Sequence, residues 1–180
     1  MRKIFCALSA LLCLSACAGT PGKVFTSDTP TQTEYVSARV VSNPVQCVPY
    51  AREKSGIQIM GDAHTWWDRA APKYDRGHTP RPGAVLVLAK TGKMKHGHVA
   101  VVKDVLGPRH INVTHSNWGN DKYSRRVIYD SMRVEDISPR NDWSSVKFWN
   151  PDKNVFGFPY AARGFIYPSP YANAKNDLIY

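Results

Sequence analysis

The chain has 180 residues, 43% of them hydrophobic, and carries a formal net charge of +10. That length suits one domain with a full core, and no internal repeat or second composition block is present. The basic residues are scattered with no block of five like charges, which argues against a polybasic tract reading nucleic acid. The charge suits a polyanionic surface instead: anionic lipid, lipopolysaccharide or an acidic wall polymer.

Residues 1–16 have the layout of a secretory signal. Arg2 and Lys3 form a basic head, Ile4 to Leu14 an apolar run, and Leu14-Ser15-Ala16 leads into Cys17. The apolar run falls short of the roughly 20 residues a membrane-spanning helix needs. Leu-Ser-Ala-Cys matches the bacterial lipobox, so Cys17 is expected to be acylated and to become the N-terminus. Two or more acyl chains anchor a protein stably. Ala18 stands where an inner-membrane retention signal would usually place Asp, which points to the outer membrane, facing the periplasm. Residues 17–38, rich in Thr, Ser, Pro and Gly, read as a flexible tether, although 34–41 can pair as a short first strand. The domain is then expected over 39–168, with an irregular tail at 169–180.

The four cysteines stand at positions 6, 13, 17 and 47. With the first two in the leader and the third acylated, Cys47 has no intramolecular partner. A lone thiol in an oxidising compartment is either buried and inert or functional. From Gln46 to Ser55, Cys47, Tyr50 and Ala51 recur at helical spacing and Gly56 ends the run. Pro49 is tolerated only in a first turn, so the helix must begin at about Cys47 or Val48. A thiol there feels the positive end of the helix dipole and free N–H groups, which favour the thiolate.

Residues 61–71 predict a second helix with Ala63, Trp66, Trp67 and Ala70 on its inner stripe; of the two tryptophans one is expected in the core and one at the rim. A proline-rich loop covers 72–82. Strands are predicted over 84–88, 98–102 and 111–117, with later segments at 124–129, 146–149 and 164–167. Two helices followed by short strands and tight turns make an α+β domain with an antiparallel sheet. The late aromatics Trp143, Phe148, Trp149, Phe156, Phe158, Tyr160, Phe165 and Tyr167 are expected to close its second apolar face.

Strand alternation puts His98, Ala100 and Val102 on one face, and Val113, His115 and Asn117 on one face of the next strand. If those faces look toward the first helix, Cys47, His98 and either His115 or Asn117 converge as nucleophile, base and orienting group. His96, His98 and His115 could instead be taken for a zinc site, but no acidic or cysteine ligand at a recognised spacing completes one. His64, His78 and His110 read as ordinary loop, surface or capping residues.

The ordered set Gln46-Cys47-Val48-Pro49-Tyr50-Ala51-Arg52, Gly61-Asp62-Ala63 with Trp66-Trp67, Pro82-Gly83-Ala84-Val85-Leu86, Gly97-His98-Val99-Ala100-Val101-Val102 and Val113-Thr114-His115-Ser116-Asn117-Trp118 resembles the CHAP family. These are the cysteine- and histidine-dependent amidohydrolases/peptidases, a branch of the papain-like fold. The resemblance implies a single papain-like domain that cuts peptidoglycan amide bonds through a thioester. Cys47 would be the nucleophile and His98 the general base, with no metal or organic cofactor. The family often has an acidic residue where His115 stands, and Asn117 is retained. Two cationic imidazoles side by side would repel, so Asn117 is the favoured orienting group, with a neutral His115 touching substrate. The Cys47 N–H is the natural oxyanion donor, helped by a side chain of Gln46 or Tyr50, and Trp118 is a candidate cleft wall. The partners implied are peptidoglycan and, through Cys17, a membrane, with no nucleic acid and a monomeric chain. The competing reading is a weak or inactive CHAP-fold lipoprotein that binds or scaffolds the wall.

Overall fold

The structure is a computed structural model and describes residues 32–168. The leader at 1–16, the acylation site Cys17, most of the 17–38 segment and the 169–180 tail lie outside the described residues. A single helical turn, α1 (Gln32–Tyr35), runs into β1 (Val36–Val40). The helix α2 (Cys47–Ser55) begins where Pro49 dictates, because a proline in the first turn gives up an N–H that has no intrahelical partner. Gly56, at φ 74°, ends it by donating its N–H to the Arg52 carbonyl at 3.0 Å. The helix predicted over 61–71 is shorter than its pattern suggested. Gly61 has φ 93° and Asp62 is extended, so a 3-10 turn (Ala63–Thr65) leads into a brief α3 (Trp66–Ala70).

Seven more strands follow: β2 (Arg76–Gly77), β3 (Val85–Leu88), β4 (His98–Val105), β5 (His110–Ser116), β6 (Val127–Asp136), β7 (Ser145–Asn150) and β8 (Val155–Ile166). All pairings are antiparallel, in the order β1-β6-β5-β4-β3-β8-β2. Because β7 pairs with both β6 and β8, the strands β3 to β8 close into a six-stranded barrel. The fold is thus α+β with a large antiparallel sheet, as the sequence indicated, but the sheet is closed. The late aromatics fill an interior: Trp143, Phe148, Trp149 and Phe165 are buried there, whereas Phe158 is 79% exposed.

Two apolar cores share the strands. Leu86, Leu88, Ala100, Val102 and Val113 point into the barrel. Val85, Val87, Val99 and Val101 point outward, beneath Ala51 of α2, Ile57, and Trp66 and Ala70 of α3. Burial on both faces explains why 84–88 and 98–102 read as unbroken apolar runs rather than alternating ones. One strand departs from simple alternation. Met132 pairs with Val113 but Tyr129 pairs with His115, so β6 carries an extra residue between Tyr129 and Met132. The pairing with β1 shifts at the same place. This bulge turns Tyr129 and Met132, three apart in sequence, toward the same interior.

Gly97, directly before β4, fixes how the helical layer meets the barrel. It has φ 70°, and a Cβ there would meet the His64 backbone nitrogen at 2.7 Å and the Leu88 carbonyl oxygen at 2.9 Å. Gly97→Ala is expected to destabilise the fold by about 2 kcal/mol or more, read as a drop in the urea midpoint at unchanged slope.

Candidate active site

α2 packs against the outer faces of β4 and β5. Its buried Tyr50 ties it to β5: Thr114 Oγ1 donates to the Tyr129 carbonyl at 2.9 Å, so the Tyr50 hydroxyl is the donor in its 2.7 Å bond to Thr114 Oγ1. This corrects the expectation that Tyr50 contacts substrate or supplies an oxyanion donor. Its one O–H is spent on holding the helix to the strand. Cys47, at the first helical position, is half-buried and packs against the outer core, and the backbone of Val99 hydrogen-bonds its thiol.

His98, the residue before Val99, points to the other side of the strand, into the barrel mouth. The expected condition that this face look toward the helix is therefore not met; strand alternation puts thiol and imidazole on opposite sides of one backbone at its end. His98 Nε2 and His115 Nδ1 lie 3.0 Å apart, and both rings are buried. Among the described residues no hydrogen bond joins Cys47 to His98, and catalytic hydrogen bonds are often long in unliganded sites. His115 continues to Met132, with Nε2 3.3 Å from Sδ, and lies parallel to the Tyr129 ring at 5.0 Å. Trp118 covers the pair, its ring 4.7 Å from His98 and stacked on Phe148 at 4.9 Å. It also forms a wall of a cavity of about 280 Å³ lined by Tyr129, Phe148, Phe158 and Tyr160.

Asn117 does not orient His98 here. β5 ends at Ser116 and Asn117 takes φ 57°, which breaks the alternation and swings its side chain out of the barrel line. Its Nδ2 donates to Gln46 Oε1 at 2.7 Å, while its own Oδ1 is buried without a partner. The contact on His98 comes from His115. Gln46, exposed at the cap of α2, uses only its side-chain oxygen in the bond with Asn117, so its amide N–H groups are not spent there. Of the remaining histidines, His96 is turned to solvent beside Asp62, and His64, His78 and His110 contact the His96 carbonyl, the Asp142 carbonyl and Glu135. His96 thus lies apart from the buried pair, and among the described residues no three His, Cys, Asp or Glu side chains converge as a ligand set. Trp66 is in the outer core and Trp67 is half-buried at its rim, with Arg76 over its ring.

The CHAP domain family model matches residues 38–117, a span that runs from β1 through Cys47, His98 and His115 to Asn117. Over that span the chain is similar to the CHAP domain family. Among solved structures it is similar to an N-acetylmuramoyl-L-alanine amidase from Staphylococcus aureus, at 23% identity over 66% of this chain, with a TM-score of 0.41. The aligned part is 30% of that amidase chain, so this chain spans under a third of its length. Comparison with curated proteins finds no match.

The site is electrically quiet. Burial pushes the Cys47 thiol above its ordinary value, and backbone hydrogen bonds from Val99, Val48 and Cys47 itself only partly offset this. The helix start therefore does not by itself make the thiolate expected from the sequence. Burial pushes His98 down to about 3, and burial together with the neighbouring His98 holds His115 well below the ordinary imidazole range. Thiol and both imidazoles are neutral at pH 7, which removes the repulsion that counted against a histidine pair.

An imidazole whose folded value is lowered binds its proton more readily in the unfolded chain. The stability it permits is full above the unfolded value of about 6.5 and falls as pH drops from there toward the folded value of about 3. Urea unfolding between pH 7 and pH 5 is expected to lose about 1.4 kcal/mol per pH unit for each of the two histidines once below 6.5. A flat profile would show that both rings take up protons in the fold as they do in the unfolded chain, and half the slope that one of them does.

Proposed function

We propose that this protein is a thiol-dependent hydrolase of peptide amide bonds in peptidoglycan, an amidase or endopeptidase. The observation that carries the reading is the CHAP match over 38–117, which contains a half-buried thiol at a helix start and a buried histidine pair on the strands beneath it. Family members of this kind act on such bonds. With both groups neutral, the reaction starts from thiol and imidazole rather than from an ion pair. His98 takes the Cys47 proton as sulfur attacks the carbonyl carbon, and the Cys47 N–H with the Gln46 amide steadies the oxyanion. Imidazolium then gives its proton to the leaving amine, leaving a thioester. Water, deprotonated by His98, releases the acid and restores the thiol. Trp118 and the cavity beside it supply the wall against which a peptide can lie.

One observation favours a second reading, a CHAP-fold protein that binds the wall without cutting it. The thiol and His98 make no hydrogen bond, and burial disfavours the charged form of each. Digestion of purified peptidoglycan by the full chain separates the two readings, with released fragments identified by mass spectrometry. Hydrolysis predicts new termini that vanish in Cys47→Ala and fall at least a hundredfold in His98→Ala. Wild type that binds the wall and releases nothing would establish the second reading.

We further propose that Cys17 carries acyl chains that hold the domain on the outer membrane, facing the periplasm. The lipobox Leu14-Ser15-Ala16-Cys17 and the basic surface support this. Labelled palmitate is expected to enter the chain in cells and to be lost in Cys17→Ser; equal label in both would refute the anchor.

A further inference from the structure

The second half of the barrel lies beyond the residues that the family model matches, and it supplies a group next to the histidine pair that the reaction above does not use. Met132 is fully buried, and its sulfur is the hydrogen-bond partner of His115 Nε2, at 3.3 Å. The rest of the His115 surroundings is aromatic: Tyr129 parallel at 5.0 Å, and Trp118 and Phe148 each at 5.5 Å.

Two neutral imidazoles in line can share their hydrogens in two ways. In one, His98 Nε2–H donates to His115 Nδ1, and His115 Nε2 carries its own hydrogen onward. In the other, His115 Nδ1–H donates to His98 Nε2, and His115 Nε2 is bare. The 3.0 Å contact fits both. A thioether sulfur has no hydrogen and can only accept. A bare Nε2 would therefore set one lone pair against another in a site without water-like partners. Only the first arrangement gives the Met132 sulfur a hydrogen to accept.

We propose that Met132 is a positioning residue whose thioether selects the Nε2–H tautomer of His115 and, through it, the Nε2–H tautomer of His98. Each neutral ring holds one hydrogen, so His98 Nδ1 is left bare as the nitrogen that accepts a proton. The β6 bulge is what makes this possible, since in a regular strand residues three apart, as Tyr129 and Met132 are, would face opposite sides and could not both reach His115. This inference rests on the hydrolase reading only for what the bare nitrogen does, not for which nitrogen is bare.

The test is a long-range ¹H–¹⁵N correlation spectrum of the full chain labelled at histidine, at pH 7, which reports the tautomer of each ring directly. Both His98 and His115 are expected as Nε2–H. A His98 Nδ1–H signal in wild type would overturn the proposal, whatever the activity. Met132→Leu keeps the volume and removes the acceptor, and is expected to raise the Nδ1–H share roughly twofold to tenfold. It is expected to lower kcat only in proportion to the Nε2–H share that is lost, about twofold at most, with KM unchanged. Met94→Leu, a partly buried methionine on the same core, should move neither readout. Unchanged tautomers in a folded Met132→Leu would also overturn the proposal; should that variant not fold, the wild-type spectrum still decides. Nε2–H tautomers in a wild type that cuts no peptidoglycan would uphold the assignment and count against the hydrolase reading.

Discussion

Two imidazoles 3.0 Å apart can share a closed barrel mouth only while both are uncharged, and the rest of the site is arranged around that condition. Tyr129, Phe148 and Trp118 exclude water from the pair, which disfavours the cationic form of each ring. A carboxylate in place of His115 would stabilise an imidazolium at His98. A neutral imidazole cannot do that; it can only hold the ring in place and accept its hydrogen. The thiol is held under the same rule, since burial outweighs the backbone donors that favour its anion. On the proposed reaction, charge separates only once substrate arrives, and the donors near Cys47 and Gln46 then meet charge as it forms.

The strand β4 serves two layers at once. His98, Ala100 and Val102 belong to the barrel interior, while Val99 and Val101 carry the helices. A helix fixed to the outer face cannot reach a residue pointing inward except where the strand ends, and both His98 and Cys47 are terminal residues of their elements. Tyr50 on Thr114 and Asn117 on Gln46 fix the helix start against the end of β5. The geometry of the site is thus set by where elements stop more than by their middles.

Much of this could be read from the residues, for reasons that also mark the limit. Pro49 and Gly56 fixed both ends of α2 because each has a backbone requirement of its own. The apolar runs at 84–88 and 98–102 announced strands buried on both faces. The sequence pattern marks β6 only at its start. Its bulge shifts the alternation, and Asp130, Arg133 and Glu135 along it resemble a loop. Only the end of β8 was recognised, since Gly157, Pro159 and Arg163 interrupt its pattern. Asn117 fits the orienting role only if alternation runs one residue past the end of β5 and if the two imidazoles repel, and the φ of 57° and the burial of the pair remove both conditions. Tyr129, Met132 and Phe148 around His115 had no local signal, because they reach it through strand pairing and barrel closure.

Barrel closure also orders events in time. The β4–β5 hairpin that brings His98 to His115 joins neighbours in sequence, whereas the seam between β3 and β8 pairs Val85 with Ile166, in the first and last strands of the barrel. Local hairpins form quickly, and distant pairings wait on the entropy of closing a long loop. A nascent chain would therefore hold its two histidines together while they were still wet and basic. They become poor bases only when the seam zips, so closing the barrel is the step that gives the histidines their chemical character.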